Sequence, residues 1–322
     1  MVCLSIGNLT LPLNVIYAPM AGCTDFPFRK IACRYKPGLL FCEMVNVKAL
    51  LHGDEDTFRM LHYQACMRPI GAQICGSDPK LAASAARIIE DLGFDLVDLN
   101  CGCPVDKVTR DGSGSGLLKN PLKIGEIVSS IIAAVRIPVT VKIRLGWDAQ
   151  HLVHTDVVRV AELAGAKAVT VHGRTRAQGY SGRADWEKIG EAKQAARSIP
   201  VIGNGDIVSA EDAVEKMRLS GCDGVLVARG LYGKPFLADD IRKYYEQGTV
   251  PERNVEEIRS ILIDHFQETV SYCTDERAIV DMKRVGCWYT GGAPGARVFR
   301  EALNRASSLE EMKALIRATP IV

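Results

Sequence analysis

A cluster of residues able to do chemistry occupies positions 98–104, which read Asp-Leu-Asn-Cys-Gly-Cys-Pro. An apolar run precedes these residues, and a segment rich in Gly and Ser follows at 107–116. This pattern predicts a buried strand that ends in a loop, and loops after strands carry the chemistry of α/β barrels. Because Pro104 favours an extended conformation at Cys103, we expect this thiol next to a glycine-rich flap. The alternative is a pair of buried structural cysteines, since free Cys packs well.

The Cys103 thiol could act as a nucleophile or as a proton donor. The sequence offers no assignable Asp–His partner that would activate a nucleophile, which favours a general acid. None of the eleven cysteines forms a C-x-x-C pair. We therefore predict no metal site, and an iron–sulfur cluster is disfavoured.

Polar residues also stand at the ends of other apolar runs. Gln73 ends one run, Lys142 lies inside another, and His172 ends a third. A Lys inside an apolar strand is costly unless it points into a polar site, where it could stabilise an anion such as a reduced flavin ring. Arg144, two residues on, would share that face of the strand. Residues 19–21, Pro-Met-Ala, offer a compact surface for a flat ring.

Two loops of small residues predict a phosphate site. One holds Asn204, Gly205 and Asp206, and the other holds Ala228 and Arg229. In α/β barrels the loops after strands seven and eight commonly bind phosphate through backbone N–H groups, and Arg229 could neutralise its charge. Gly-rich turns follow many strands, so it is the agreement of both loops that indicates a phosphorylated cofactor.

The elements that must position these residues form a repeating strand–helix pattern. Apolar, branched runs typical of parallel strands buried on both faces alternate with helical patterns. Eight such units over roughly 240 residues predict a TIM (β/α)8 barrel. The predicted strands are residues 15–18, 39–42, 70–74, 96–100, 139–143, 168–171, 201–202 and 224–227.

The pattern changes near residue 250, after which no strand-like run follows. We predict a barrel domain that binds the cofactor over residues 1–250 and a smaller, all-helical domain over residues 251–322. The predicted helices of the second domain are residues 255–272, 276–290, 296–305 and 309–318.

Basic and aromatic residues are interleaved between Arg277 and Arg305, a segment with six basic and two acidic side chains. This mixture suits RNA, with Lys283 and Arg284 as candidate contacts. The alternative is a solvated helix face over an aromatic core. The aromatic residues are Trp288, Tyr289 and Phe299.

Composition limits the classes of function. The chain is 47% hydrophobic and 24% charged, which is typical of globular proteins, and its net charge of +2 means that RNA binding must use a local basic patch. No apolar run of membrane-spanning length occurs in the sequence, and residues 1–4 lack the pattern expected of a signal peptide. We therefore expect a cytoplasmic protein with reduced cysteines and no membrane association.

With these residues in place, the chain resembles the tRNA dihydrouridine synthase family and is most similar to its bacterial B-type branch. The resemblance extends along nearly the whole chain, and its motifs are specific together rather than singly. The motifs are residues 18–25 (APMAGCTD), 98–104 (DLNCGCP), 141–147 (VKIRLGW), 171–176 (VHGRTR) and 204–207 (NGDI).

The resemblance implies a TIM barrel followed by a helical domain that helps to hold tRNA, with FMN as bound cofactor and NADPH as reductant. Hydride would pass from the flavin to C6 of a uracil in tRNA, and Cys103, not Cys101, would give a proton to C5. Asn100 and Arg174 would face the uridine, and Arg144 is placed with them as a substrate contact. No protein partner is implied. The implied FMN contacts are Pro19, Met20, Ala21, Gln73, Lys142, His172, Asn204, Gly205, Asp206, Ala228 and Arg229.

Two other functions compete with this interpretation. One is a TIM-barrel flavoenzyme that reduces a free small molecule of the dihydropyrimidine or enoate type, which would not need the helical domain. The other is a non-catalytic RNA-binding protein, which would not need Cys103, Lys142 and His172.

One departure from the family pattern is Ala228, where Gly is frequent, and its methyl group bears only on the detailed phosphate geometry.

Overall fold

Eight parallel strands, β3 to β10, close into a barrel in which β10 pairs with β3. The computed structural model describes residues 3–291 and 293–318. The predicted TIM barrel is confirmed, and each of its eight strands overlaps one predicted run. The strands are β1 (Leu4–Ile6), β2 (Leu9–Leu11), β3 (Val15–Tyr17), β4 (Leu39–Asn46), β5 (Ile70–Cys75), β6 (Leu96–Cys101), β7 (Val139–Arg144), β8 (Ala168–His172), β9 (Val201–Asn204) and β10 (Gly224–Val227).

Several barrel strands extend one to four residues beyond their predicted ends. The parallel ladder continues through the pairing of Asn100 with Lys142 and of Arg144 with His172. Arg144, His172 and Asn204 therefore lie within strands, although the predicted strands end before them. The physical reason is that backbone hydrogen bonds to the neighbouring strands, not side-chain polarity, decide where a strand ends.

Helices cover the outside of the barrel and then form the C-terminal part of the chain. Asp78, Asn120 and Ser209 accept backbone N–H groups at the starts of α4, α6 and α9, as N-cap residues do. The helices are α1 (Phe26–Ala32), α2 (Val47–Leu51), α3 (Glu55–Leu61), α4 (Pro79–Asp91), α5 (Asp106–Thr109), α6 (Pro121–Ile132), α7 (His154–Leu163), α8 (Trp186–Ala195), α9 (Ala210–Ser220), α10 (Leu237–Gln247), α11 (Val255–Tyr272), α12 (Asp275–Trp288), α13 (Ala296–Arg305) and α14 (Leu309–Arg317).

The barrel interior has an apolar lower layer and a polar upper layer. The lower layer contains Phe41, Leu96, Ile202 and Leu226, which pack together in one buried cluster. Because side chains alternate along a strand, the residues two and four positions beyond Leu96 point into the same interior. The polar residues are therefore held above a dry, packed base.

A short hairpin, β1 paired with β2, closes the lower end of the barrel. Leu4, Ile6 and Leu11 are buried and join the apolar layer of the interior. The sequence analysis did not predict this hairpin, because strands of three residues give too short a pattern to recognise.

The four C-terminal helices, α11 to α14, pack around their own apolar cluster. Ile31 of α1 and Phe236 belong to this cluster, so the helices also pack firmly against the barrel. Gly248, in the left-handed conformation with φ of 71°, ends α10, and α11 begins at Val255. The division into two domains at residue 250 stays a prediction. None of the helices in the described part of the chain is long and apolar enough to cross a bilayer.

The aromatic residues of the basic C-terminal segment have different surroundings. Tyr289 and Phe299 are buried in the helical cluster, which agrees with the aromatic-core alternative for these two residues. Trp288 is half-buried and stacks on Tyr232 of the barrel, with ring centroids 4.7 Å apart.

Candidate active site

A cavity of about 540 Å³ opens at the end of the barrel where the parallel strands finish. Side chains from, or directly after, all eight barrel strands line it. In TIM barrels this face carries the active site, because the loops after the strands converge there. The cavity is therefore the candidate active site of this chain.

The cavity brings together most of the residues that the sequence analysis selected. Three predicted substrate contacts, Arg174, Lys283 and Arg284, do not line it. The predicted residues that line it are Pro19, Met20, Ala21, Gln73, Asn100, Cys103, Lys142, Arg144, His172, Asn204, Gly205, Asp206, Ala228 and Arg229.

Lys142 provides a partly buried cation in the cavity wall. Its Nζ donates to Oδ1 of Asn204 at 3.0 Å, and Nδ2 of Asn204 donates to the carbonyl of Leu226 at 2.8 Å. Burial, with the nearby Arg144, lowers the pKa of Lys142 to about 8. Burial, with Lys142 as the leading charge, holds the pKa of His172 well below its usual value, so this imidazole is neutral at pH 7. The wall thus presents cations beside a neutral imidazole and suits an anionic group.

Cys103 lies on the cavity wall and is half-buried. Its carbonyl accepts hydrogen bonds from the backbone N–H and the hydroxyl of Ser115, at 3.0 and 2.9 Å. Gly114 has φ of +57°, and a Cβ at this position would lie 2.9 Å from the same carbonyl. The glycine-rich segment therefore packs on the backbone of Cys103. Its glycines allow these two segments of the chain to approach each other closely.

Cys101, two residues earlier, has a different environment. It is fully buried among the residues between strands and helices, and it does not line the cavity. Burial raises the pKa of its thiol well above the usual value. Of these two cysteines, only Cys103 can meet a ligand in the cavity.

A line of hydrogen bonds connects the barrel interior to the loop of Cys103. Asp98 accepts from the Thr140 hydroxyl at 2.6 Å and from Nε2 of Gln73 at 2.7 Å. Oε1 of Gln73 accepts from Nδ2 of Asn100 at 2.7 Å, and Oδ1 of Asn100 accepts the N–H of Cys103 at 2.8 Å. Asn100, expected to face the uridine, thus also holds the Cys103 loop with its amide.

The two predicted arginines near the cavity hold loops in place. Arg144 is buried, and it donates to the carbonyls of Gly102, Thr175 and Gly179 at 2.8–2.9 Å, tying the loops after β6 and β8 together. Arg174 is also buried and forms a 2.8 Å ion pair with Asp206.

The loops after β9 and β10 are compact. Gly205 has φ of +131°, and a Cβ there would lie 2.5 Å from Cβ of Ala184. Burial favours the neutral acid, but the N–H of Ala184 and the Arg174 guanidinium outweigh it and hold the pKa of Asp206 below its usual value. Arg229, 3.8 Å from the Asp206 carboxylate, remains partly exposed beside these loops, where it can meet an anion.

Sequence analysis missed several residues that line the cavity. Tyr180 is exposed at its mouth, with the Arg229 guanidinium 4.4 Å from its ring centroid. Tyr232 places its hydroxyl 3.5 Å from Sγ of Cys23. Tyr180 lies in the loop after β8, and an exposed aromatic residue there was the only available signal. Cys23 and Tyr232 are far apart in the sequence and come together only when the barrel closes.

The predicted RNA contacts on α12 lie close to this region without entering it. Arg284 forms a 3.1 Å ion pair with Asp281, and a Cβ on Gly22 would lie 3.5 Å from Nη1 of Arg284. Because Gly22 is in the loop after β3, Arg284 connects the C-terminal helices to the rim of the barrel. Lys283 precedes it on α12 and is half-buried.

Comparisons with known proteins give consistent results. Residues 16–321 match the family model described as dihydrouridine synthase. The chain is 39% identical to a probable tRNA-dihydrouridine synthase of Rickettsia bellii, over 94% of this chain and 93% of that protein. It is also 39% identical to the tRNA-dihydrouridine synthase B of Pseudomonas aeruginosa, over 97% and 94% of the two chains.

Solved structures with a similar fold are more distant in sequence. Histamine dehydrogenase from Rhizobium sp. 4-9 superposes with a TM-score of 0.57 at 16% identity, covering 83% of this chain and 50% of that one. TcOYE with pHBA gives a TM-score of 0.55 at 12% identity, covering 80% and 95%. At this level of identity the two structures support the barrel fold alone.

Proposed function

Because the chain belongs to the dihydrouridine synthase family, we propose that it reduces the C5=C6 bond of uridine in tRNA to 5,6-dihydrouridine, with FMN as bound cofactor and NADPH as reductant. The observation that carries this proposal is that Cys103 and Lys142 line the same cavity, at the carboxyl ends of the strands, as the two loops predicted to bind phosphate. A tRNA substrate also favours a cytoplasmic location.

The residues of the cavity fit a flavin nucleotide. Residues 19–21 offer a small, mostly apolar surface for the flat ring, while Gln73 and Lys142 offer hydrogen-bond donors to a polar edge. The compact loops after β9 and β10, with Arg229 beside them, suit the phosphate. When bound, FMN would supply the hydride that C6 of the uracil receives, after NADPH has reduced it.

Lys142 is proposed to hold negative charge in the cavity. Its ammonium group is fixed by Asn204, so it needs little rearrangement to meet an anionic ring or a developing charge on the uracil. The neutral His172 nearby can donate a hydrogen bond without adding another positive charge to those of Lys142 and the neighbouring arginines.

Cys103 is proposed as the acid that delivers a proton to C5 of the uracil. Its thiol lies on the cavity wall, and its backbone is held from both sides, by Asn100 at the N–H and by Ser115 at the carbonyl. A fixed backbone limits the positions of a short side chain, which is what a positioned proton donor requires.

The helical domain, residues 251–322, is proposed to hold the tRNA while one uridine is turned out of its stack into the cavity. Lys283 and Arg284 are the proposed contacts to the RNA backbone, because Arg284 lies beside the rim of the barrel. Arg174, which is buried against Asp206, contributes to the substrate site by holding the wall in place.

Mass spectrometry of the reaction products tests the proposed function. Purified protein is incubated with NADPH and either tRNA lacking dihydrouridine or free uridine. We expect dihydrouridine in tRNA alone. Product from free uridine alone would assign the protein to small-molecule reduction, and no product from a flavin-loaded protein would contradict a catalytic role.

A further inference from the structure

Asp98 is a buried carboxylate next to the cavity that the proposed mechanism does not use. It lies on β6 with 2% of its surface exposed, and it does not line the cavity. Its two oxygens are occupied by the Thr140 hydroxyl and by Nε2 of Gln73. A buried charge is costly, so its presence beside an active site needs a physical reason.

The hydrogen bonds that begin at Asp98 have one permitted direction. An ionised carboxylate can only accept, so Gln73 must point Nε2 at Asp98 and Oε1 at Asn100. Asn100 must then point Nδ2 at Gln73 and Oδ1 at the loop. There Oδ1 accepts the N–H of Gly102 at 3.1 Å and of Cys103 at 2.8 Å. Backbone N–H groups can only donate, so both ends of the chain require the same direction.

We propose that Asp98 is a positioning residue for Cys103, whose carboxylate fixes the orientation of the Gln73 and Asn100 amides and thereby anchors the loop that carries the thiol. This inference rests on the proposed function only in giving Cys103 the role of proton donor. The placement of the Cys103 loop by Asp98 follows from the hydrogen bonds alone.

Replacing the charge by an amide removes one of the two constraints on the direction of these hydrogen bonds and leaves only the one from the backbone N–H groups of Gly102 and Cys103. In Asp98→Asn either end of the new side chain can face Gln73, so both amides can also reverse. In the reversed state Asn100 would present Nδ2 to the N–H groups of Gly102 and Cys103, which cannot accept it. In this reversed state the loop loses its anchor, and the substitution makes the state accessible without changing the volume of the side chain.

Asp98→Asn is compared with Thr140→Val in the flavin-loaded enzyme. Thr140→Val removes one hydrogen bond to Asp98 but leaves the carboxylate and the direction of the chain intact, which makes it the matched control. We expect Asp98→Asn to slow dihydrouridine formation about tenfold, the scale of a small misplacement of a reacting group, while reduction of the flavin by NADPH stays near the wild-type rate. At pH 8 we expect Thr140→Val to form dihydrouridine at most of the wild-type rate.

Two further measurements separate positioning from general structural support. Iodoacetamide should alkylate Cys103 several-fold faster in Asp98→Asn than in the wild type or Thr140→Val, as read from the labelled peptide by mass spectrometry. The melting temperature of Asp98→Asn should equal or exceed that of the wild type, since a buried charge is removed and the amide can still pair with Gln73 and Thr140.

The pH profile gives an independent check. Burial raises the pKa of Asp98 to about 6, against the hydrogen bonds from Thr140 and Gln73 and the charge of Lys142 on β7. The Cys101 thiol on the same strand also interacts with it. A protonated Asp98 can donate, so wild-type activity should fall as pH falls through about 6. This loss of activity at low pH should be absent in Asp98→Asn. It should move to higher pH in Thr140→Val, because the hydrogen bond from Thr140 lowers the pKa of Asp98.

The outcomes are distinct. Wild-type rates and wild-type alkylation in Asp98→Asn would overturn the proposal, as would a Thr140→Val enzyme that behaves in the same way as Asp98→Asn. An Asp98→Asn protein that melts much earlier and loses flavin reduction equally would show a merely structural residue. If Asp98→Asn does not fold, the pH profile of Thr140→Val tests the proposal instead. A shift of its acid limb to higher pH would support the proposal, and an unchanged acid limb would contradict it. If even the wild type forms no dihydrouridine, the proposed function fails, and the alkylation comparison still tests the anchor.

Discussion

Two cysteines separated by one glycine, Cys101 and Cys103, differ in their burial and in their access to the cavity. Cys103 lines the cavity, whereas Cys101 points from the end of β6 into the layer between strands and helices. Alternation along β6 turns Cys101 outward, because Asn100 beside it faces the barrel interior, whereas Cys103 lies in the loop after the strand, where this alternation no longer applies. The proposed role of Cys103 as the proton donor can therefore be tested with Cys101, its near neighbour, as the control.

Cys103→Ala should nearly abolish formation of dihydrouridine while flavin stays bound, because the thiol is lost and the backbone contacts remain. Cys101→Ala should retain most of the activity and lower the free energy of unfolding by about 1 kcal/mol through a small cavity. Product is measured by mass spectrometry and flavin by absorbance. A fully active Cys103→Ala enzyme would remove this residue from the proposed acid role, and equal losses in both variants would contradict the choice of thiol.

Lys142 should give the activity an alkaline limit. Its pKa of about 8 means that the ammonium group loses its proton as pH rises through this value, and a bound anionic flavin would move the limit upward. We expect the rate of uridine reduction to fall above pH 8. Lys142→Met should be slow throughout and lack this limb. An unchanged alkaline limb in Lys142→Met would assign the titration to another group.

At the scale of elements, the glycine-rich segment after β6 supports the loop that carries Cys103. Ser113 and Ser115 are buried, and Gly114 approaches the carbonyl of Cys103 in a left-handed conformation. A segment whose composition predicts a mobile flap is thus packed in place, because its small residues allow two backbone segments to meet.

Gly114→Ala should slow uridine reduction, since its Cβ would press on the Cys103 carbonyl and shift the loop. The matched control is Gly221→Ala, which has φ of +65° but nothing within 4 Å of a new Cβ. Both variants should lose about 1 kcal/mol of stability from backbone strain, and only Gly114→Ala should lose activity. Steady-state rates and urea denaturation measure both effects, and equal rates in the two variants would contradict the supporting role.

The hairpin of β1 and β2 closes the lower end of the barrel and should matter for stability alone. Leu11→Ala, at a fully buried position, should lower the free energy of unfolding by about 2–5 kcal/mol. Leu163→Ala, at a position that is 83% exposed, should change it by less than about 0.5 kcal/mol. Urea denaturation gives both values. If Leu11→Ala were as stable as its control, the hairpin would not be part of the core.

At the scale of the whole molecule, the C-terminal helices and the barrel rim meet where α12 passes the loop after β3. Arg284→Glu should weaken tRNA binding and reduce its salt dependence by about one released counterion, without changing flavin content. Arg159→Glu on α7 is the control, because Arg159 is also paired with an Asp three residues earlier. Filter binding at several salt concentrations measures the effect, and equal affinities for the two variants would place the RNA contact elsewhere.

Local patterns in the sequence determined the barrel and the residues of its mouth. Apolar runs of strand length alternate with helical periodicity, so eight strands could be placed, and polar residues such as Gln73 and Lys142 stood out at their carboxyl ends. In a parallel barrel these ends meet on one face whatever the loops do. That is why residues as distant in sequence as Pro19 and Arg229 could be predicted to share one site.

Tertiary structure alone decided what each side chain does there. The chain from Asp98 to Cys103 uses partners on β5, β6 and β7, whose register is set when the barrel closes. The same closure buries Arg174 against Asp206, and the packing of the C-terminal helices on one another buries Phe299. Hydrogen-bond partners and burial depend on strands and helices far apart in sequence, whereas the periodicity of a strand is a property of neighbouring residues. The sequence by itself therefore determined where the site is, and the folded structure determined how its residues are held.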